Sequence, residues 1–324
     1  MNDIRRIDLT VPTGWNQCSV EQLEQISQIL LLEHAQVDRY HPYDPLKFKA
    51  KCFFALAGIE VIDRSTPGPS SSDAFPNASE PNKGIYNAHS IANAPEHTYM
   101  CRFVGDRKSE PFPIQVWQVQ SFVEQCLGWL DDFTQLQIFP YEHYPQCSMF
   151  FDKRSGKAER HVQCSMFNVQ WLTGPAPLLD GYSWHRYRLT QDYLQLYTML
   201  MNDGGEADEI QDARLHFLMA IFDVEKPLRC LRRMPDYQFE LVLIWWQSQM
   251  AWLMSKFKKC FKKGDVSARG SLPIELYTRS TATLQKYLGL READIDAQPC
   301  TVILQHLEDM AREAEEMERI RRKK

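Results

Sequence analysis

The stretch PDYQFELVLIWWQSQMAWLMSKFKKCFKK, residues 235–263, decides how the chain is read. Pro235 suits a first helical position, where its missing N–H is no loss. Behind it, Phe239, Val242, Leu243, Trp246, Met250, Leu253, Met254, Phe257 and Phe261 recur at the spacing of one helix face. Trp245 is offset from that stripe and reads as a contact to a neighbouring domain or another subunit. Residues 241–254 are the most apolar window, but Gln247, Ser248 and Gln249 interrupt them and five lysines follow. A membrane span needs about 20 mainly apolar residues, so this segment reads as a buried helix, the longest expected in the chain.

Working outward, the flanking segments repeat the pattern. Thr190 is the expected cap of a helix holding Tyr193, Leu196, Tyr197 and Leu200. Asn202-Asp203-Gly204-Gly205 separates it from a helix with Ile210, Ala213, Phe217, Ala220 and Ile221 inward, ending before Pro227. Beyond the central stretch, one helix is expected from Pro273 to Leu288. A last helix starts at Pro299, with Val302, Ile303, Leu307, Met310, Ala314 and Met317 on its apolar face. Residues 187–324 therefore read as one helical, bundle-like region.

The first 135 residues are mixed. Short strands are expected at 4–11, 59–62 and 98–114. Ser19 starts a helix with Gln22 in the reciprocal capping position, and Leu23, Ile26, Leu30 and Val37 mark its face. A second helix over 46–56 turns Phe48, Cys52, Phe53 and Leu56 inward and stops at Gly58. A third carries Val119, Phe122, Val123, Cys126, Leu127 and Leu130. Residues 64–97 are rich in Pro and Ser and read as a flexible insertion. Residues 136–186 read as an irregular aromatic and proline-rich connection, with a hairpin around Ser155-Gly156. The expected fold class is mainly α with a small antiparallel β-sheet (α+β), in three regions: 1–135, 136–186 and 187–324.

Composition bounds the function. The 324 residues are 44% hydrophobic and 24% charged, which excludes a mini-protein and a wholly disordered chain. A net charge of −5 argues against a basic nucleic-acid binder. The N-terminus lacks the apolar run of a signal peptide. Nine scattered cysteines, an odd number, fit a reduced cytoplasmic setting better than a disulfide framework.

No phosphate-cradling loop, nucleophile elbow or H-E-x-x-H pair occurs, so no cofactor is expected. His143, Cys147, His161 and Cys164 are the weak candidates for a metal. Their H-x3-C and H-x2-C spacing is not a finger pattern, and the bland reading is semi-buried thiols and surface histidines. Asp131 and Asp132 lie at a helix end, where either caps or faces water. The acids Asp203, Glu206, Asp208, Glu209 and Asp212 suit a helix N-terminus.

Lys256, Lys258, Lys259, Lys262 and Lys263 surround Phe257, Cys260 and Phe261 and form the sharpest electrostatic feature. Cations at a helix C-terminus explain them without a ligand; an acidic protein surface, a membrane surface or nucleic acid are the functional readings. Trp171, Tyr182, Trp184, Tyr187, Tyr193 and Tyr197 line either a groove for a partner peptide or a packing seam, and the seam is favoured. Trp245, Trp252, Phe257 and the lysines beyond them are the candidate partner-binding residues.

Several passages together carry a family resemblance. They are Ile7-Asp8-Leu9-Thr10-Val11-Pro12-Thr13 with Trp15 and the helix at 21–31, and Pro177-Leu178-Leu179-Asp180-Gly181 with Tyr187 and Gln191-Asp192-Tyr193-Leu194-Gln195-Leu196-Tyr197. The strand at 99–103, Phe112-Pro113-Ile114 and the tryptophan-bearing helix at 241–252 complete them. Over most of the chain except 64–97, this resembles a family of uncharacterised proteins from prophage-like regions of Bacteroidota. The insertion and residues 139–151 depart from its shorter members. The resemblance brings no catalytic residues. Members lie among tail-structure genes, which implies a tail-assembly accessory or chaperone that shields apolar surface on a partner such as the tape-measure protein. Its rivals are a structural tail component that self-associates, a cryptic enzyme using His143, His161, Asp131 and Asp132, and a nucleic-acid accessory with the lysines and the basic tail on one face.

Overall fold

The computed structural model describes residues 11–37, 42–65, 98–105, 110–141, 143–145, 171–261 and 273–323. The fold is mainly α with a small antiparallel sheet, divided into two compact units, Met1–Gln135 and Leu136–Lys324.

In the first unit, a 3-10 turn at Trp15–Gln17 buries Trp15. Its indole Nε1 donates to the Trp129 carbonyl at 2.9 Å, and the two rings meet edge to face at 5.1 Å. Ser19 and Gln22 form the expected capping box on α1 (Val20–Ala35), which buries Leu23, Ile26 and Leu30. The helix stops before Val37, which is exposed and not on the buried face as expected. Asp44 caps α2 (Pro45–Leu56) by accepting from the Leu46 and Lys47 amides at 2.9 and 3.2 Å. Phe48, Cys52, Phe53 and Leu56 are its buried face, and Gly58 follows at φ +65°, a left-handed stop.

The sheet has the order β1 (Ile59–Ser65), β2 (Thr98–Phe103), β3 (Phe112–Gln115), antiparallel throughout. Ile59 faces Phe103 and Cys101 faces Phe112, with a bulge between Val61 and Asp63. β1 runs through Arg64 and Ser65, so the expected insertion begins later than its composition implied. The remainder of that insertion and the expected strand at 4–10 lie outside the described residues. α3 (Val116–Cys126) buries Val119 and Val123. Leu127 and Leu130, expected on the same helix, are buried instead just after its end, by the 3-10 turn Gly128–Asp131.

The second unit opens with an antiparallel pair, β4 (His143–Pro145) and β5 (Trp171–Thr173), in which Tyr144 faces Leu172. The expected tip at Ser155-Gly156 lies outside the described residues. Residues 136–186 are not merely a connection. Leu136, Phe139, Tyr141, Tyr144, Leu172, Leu179, Tyr182 and Trp184 are buried in this unit's core. The Phe139 ring meets Trp245 edge to face at 4.7 Å and Phe222 at 5.5 Å. Large rings supply core area without any helical or strand period, which is why the pattern reads as irregular.

α4 (Trp184–Asp203) starts earlier than Thr190. Its cap is Ser183, whose hydroxyl accepts from the Arg186 amide at 3.3 Å. Thr190 is buried inside the helix, where its hydroxyl donates to the Arg186 carbonyl at 2.8 Å and lies 2.6 Å from Tyr182 Oη. The favoured seam holds for Tyr182, Trp184 and Tyr187, all buried. Gly204, left-handed at φ +71°, ends α4, and α5 (Ala207–Phe222) follows with Asp208 and Glu209 in its first turn. A single turn, α6 (Arg229–Arg232), leads to α7 (Asp236–Lys256), with Pro235 at the cap and not at the first helical position.

α7 is buried nearly all round. Leu241, Val242, Ile244, Trp245, Trp246, Ser248, Gln249 and Leu253 are all enclosed, so the single stripe read from the sequence was too narrow. Met254, placed on that stripe, is exposed. α8 (Pro273–Leu288), α9 (Glu292–Asp296) and α10 (Cys300–Lys323) complete the unit. At 24 residues α10, not the 21-residue α7, is the longest helix described. No helix among the described residues is long and apolar enough to cross a membrane.

Candidate protein-binding surface

α10 is held at its start and open at its end. An isolated antiparallel bridge joins Ser183 to Pro299: the Trp184 amide donates to the Gln298 carbonyl and the Cys300 amide to the Tyr182 carbonyl, both at 2.7 Å. Cys300, Ile303 and Leu304 are buried. Glu308 follows one turn later and is only 3% exposed. Its Oε2 accepts from the Lys259 and Cys260 amides at 2.7 and 3.0 Å, in the turn that leaves α7. The ammonium of Lys259 pairs with Glu315. A buried carboxylate between two backbone donors is the satisfied arrangement that a charged core group requires.

Beyond Glu308 the apolar face expected on α10 is increasingly exposed among the described residues: Met310 is half-buried. Met317 is 72% exposed and Ile320 51%. Met310, Glu313, Met317 and Ile320 follow each other at intervals of three and four along one face. With Ala314, Glu316 and Tyr287 of α8 they line a groove of ≈ 530 Å³. Tyr287 Oη donates to Glu313 Oε1 at 3.3 Å, and the Glu313 charge pushes that phenol above its usual range. Charges border the groove in blocks: Glu313, Glu315, Glu316 and Glu318 precede Arg319, Arg321, Arg322 and Lys323. Arg322 pairs back to Glu318 within the helix.

The residues singled out from sequence divide sharply. Trp245 is 0% exposed and Phe257 1%, so both belong to the core and present no surface to a partner. Trp245 donates its Nε1 to the Gln137 carbonyl at 3.3 Å, a contact inside its own unit. Trp252 is half-buried, and the Lys256 ammonium sits 4.8 Å over its ring and 5.2 Å from that of Phe257. Lys258 is exposed, whereas Lys259 is turned onto α10. Lys262 and Lys263 lie outside the described residues. The lysine cluster is therefore partly spent on holding the chain's own helices.

Of the candidates for chemistry, the two described carboxylates are engaged locally. Asp131 pairs with Lys49. Hydrogen bonds from Thr134 and Gln135 hold the Asp132 carboxyl below its usual range, the mark of a local turn cap. His143 opens β4, while Cys147, His161 and Cys164 lie outside the described residues. Among the described residues, no group of three or more His, Cys, Asp or Glu could hold a metal ion. The described cysteines are free thiols. Burial pushes Cys300 up to about 12, and burial with the Glu308 charge does the same for Cys260, so neither is a ready nucleophile.

Glu308 was missed from sequence because it reads as one acid in an acid-rich helix. Its one sequence signal is its place among apolar neighbours, four residues past Leu304 and one past Leu307. Comparisons with protein-family models, with curated proteins and with solved structures find no match to this chain.

Proposed function

We propose that the chain is a non-catalytic, protein-binding accessory factor whose C-terminal unit receives an amphipathic helix. The observation that carries this reading is the exposed apolar face at the end of α10. Met317 and Ile320 are exposed and, with half-buried Met310, line a groove completed by Tyr287 and bordered by charge of both signs. An apolar centre with a charged rim is the arrangement of a helix-in-groove site. The family resemblance supplies the class of client. It is a long helical tail protein such as the tape-measure protein, whose apolar stripes would be shielded before assembly, and the chain is then a tail-assembly chaperone. A structural tail component would use the same surface but remain in the finished particle.

The experiment is co-expression of the tagged full chain with the products of its neighbouring genes, followed by purification, mass spectrometry and sizing. The chaperone reading expects a stoichiometric complex with a helical tail protein. It also expects that complex to be lost with Met317→Asp, and the chain to be absent from mature particles. Recovery of the chain without any of those products, or a complex indifferent to Met317→Asp, overturns it.

A further inference from the structure

We propose that, when no client is present, the end of α10 around Met317 and Ile320 is covered by the same segment of a second copy of this chain, with the two α10 helices antiparallel. The inference rests on reading that face as a helix-binding surface and names the helix that fills it.

Charge complementarity selects this occupant. The end of α10 carries four acids over residues 313–318 and then four cations over residues 319–323. Antiparallel pairing lays each acidic block along the basic block of the other copy, whereas parallel pairing sets like on like. A two-fold axis between Glu318 and Arg319 places Met317 of one copy against Ile320 of the other. It also brings Glu316 of each beside Arg321 and Lys323 of the other. The interface is isologous, so one patch supplies both halves. The local pairs leave these charges available: Glu315 pairs with Lys259 and Glu318 with Arg322. Glu316, Arg319, Arg321 and Lys323 have no ion-pair partner among the described residues.

The overlap is short, roughly three helical turns, so the dimer is a weak and salt-sensitive one. A dissociation constant on the order of 10 µM is expected at physiological salt, rising several-fold at about 0.5 M salt.

The test is sedimentation of the full chain across that concentration range. Wild type shows a reversible monomer–dimer equilibrium. Met317→Asp sets an unpaired carboxylate at the centre of the contact and weakens it at least about tenfold. Glu316→Lys also weakens it, and Glu316→Lys combined with Lys323→Glu restores it, because the exchanged charges meet across the two-fold axis. The charge pair gives a readout independent of any loss of helix in Met317→Asp. A chain that stays monomeric at roughly twenty times the expected constant overturns the inference. So does a dimer unaffected by Met317→Asp, or a double variant no better than the single. A monomer that still captures its co-expressed client refutes the second copy and leaves the proposed function standing. A dimer that captures none does the reverse.

Discussion

Replacing Glu308 by Ala removes the carboxylate that accepts from two backbone N–H groups in the turn after α7, and with it the clasp between that turn and α10. Lys259 and Cys260 are half-buried, so water replaces the lost carboxylate only in part. An unsatisfied donor costs about 1–3 kcal/mol when fully buried, and two half-buried ones together about 2–3 kcal/mol. The pair with Arg312 at 3.5 Å adds little, because the guanidinium is mostly exposed. For a unit of this size, each kcal/mol moves the midpoint by about 2–4 °C, so Glu308→Ala lowers Tm by roughly 5–10 °C. Glu308→Gln keeps a carbonyl oxygen in place at neutral strength and loses about half as much. Thermal unfolding followed by far-UV circular dichroism reads both variants. A Glu308→Ala midpoint within about 1 °C of wild type refutes the clasp. A Gln variant as damaged as the Ala variant shows that charge, not the two amide contacts, carries the effect.

Other sites give sharp outcomes. A Cβ on Gly174 would lie 2.1 Å from Phe139 Cδ1, and that ring is wedged between Trp245 and Phe222, so Gly174→Ala destabilises by about 1–3 kcal/mol in urea titration. Trp246, fully buried, costs about 3–5 kcal/mol as Ala by the same titration, whereas half-buried Trp252→Ala costs less than half as much. Glu33 is buried; desolvation alone would raise its carboxyl, but hydrogen bonds and charge from Lys51 and Lys47 hold it below the usual range. Its folded value is thus the lower one. The stability difference between wild type and Glu33→Gln is full above the unfolded value of about 4.3 and vanishes as pH falls through the folded value. Thermal midpoints across that range read it, and a difference that grows on acidification contradicts the assignment.

The elements with strong local signals were legible in the sequence. The Ser19–Gln22 box, the Gly58 and Gly204 stops and the α2 face all follow from backbone chemistry within a few residues. Where tertiary packing overrides the local pattern, legibility fails. Trp245 looks offset on a single helical wheel, but Phe139 arrives from outside any periodic segment to cover it. Thr190 resembles a cap, but Ser183 takes that role and Thr190 turns inward to Tyr182. The lysines read as a patch because sequence spacing cannot show that Glu308 and Glu315 reach across from α10. The apolar stripe of α10 was legible as a stripe. That Met317 and Ile320 stay exposed among the described residues depends on tertiary packing, which no local signal encodes.

Amide hydrogen exchange along α10 is the most direct measurement of the central claim, taken on the chain alone when dilute and again with its co-purified partner. Slowing is expected over residues 310–320, with the buried 300–308 turns already protected and unchanged. Protection gained elsewhere in the chain, with 310–320 exchanging as in the free protein, contradicts it.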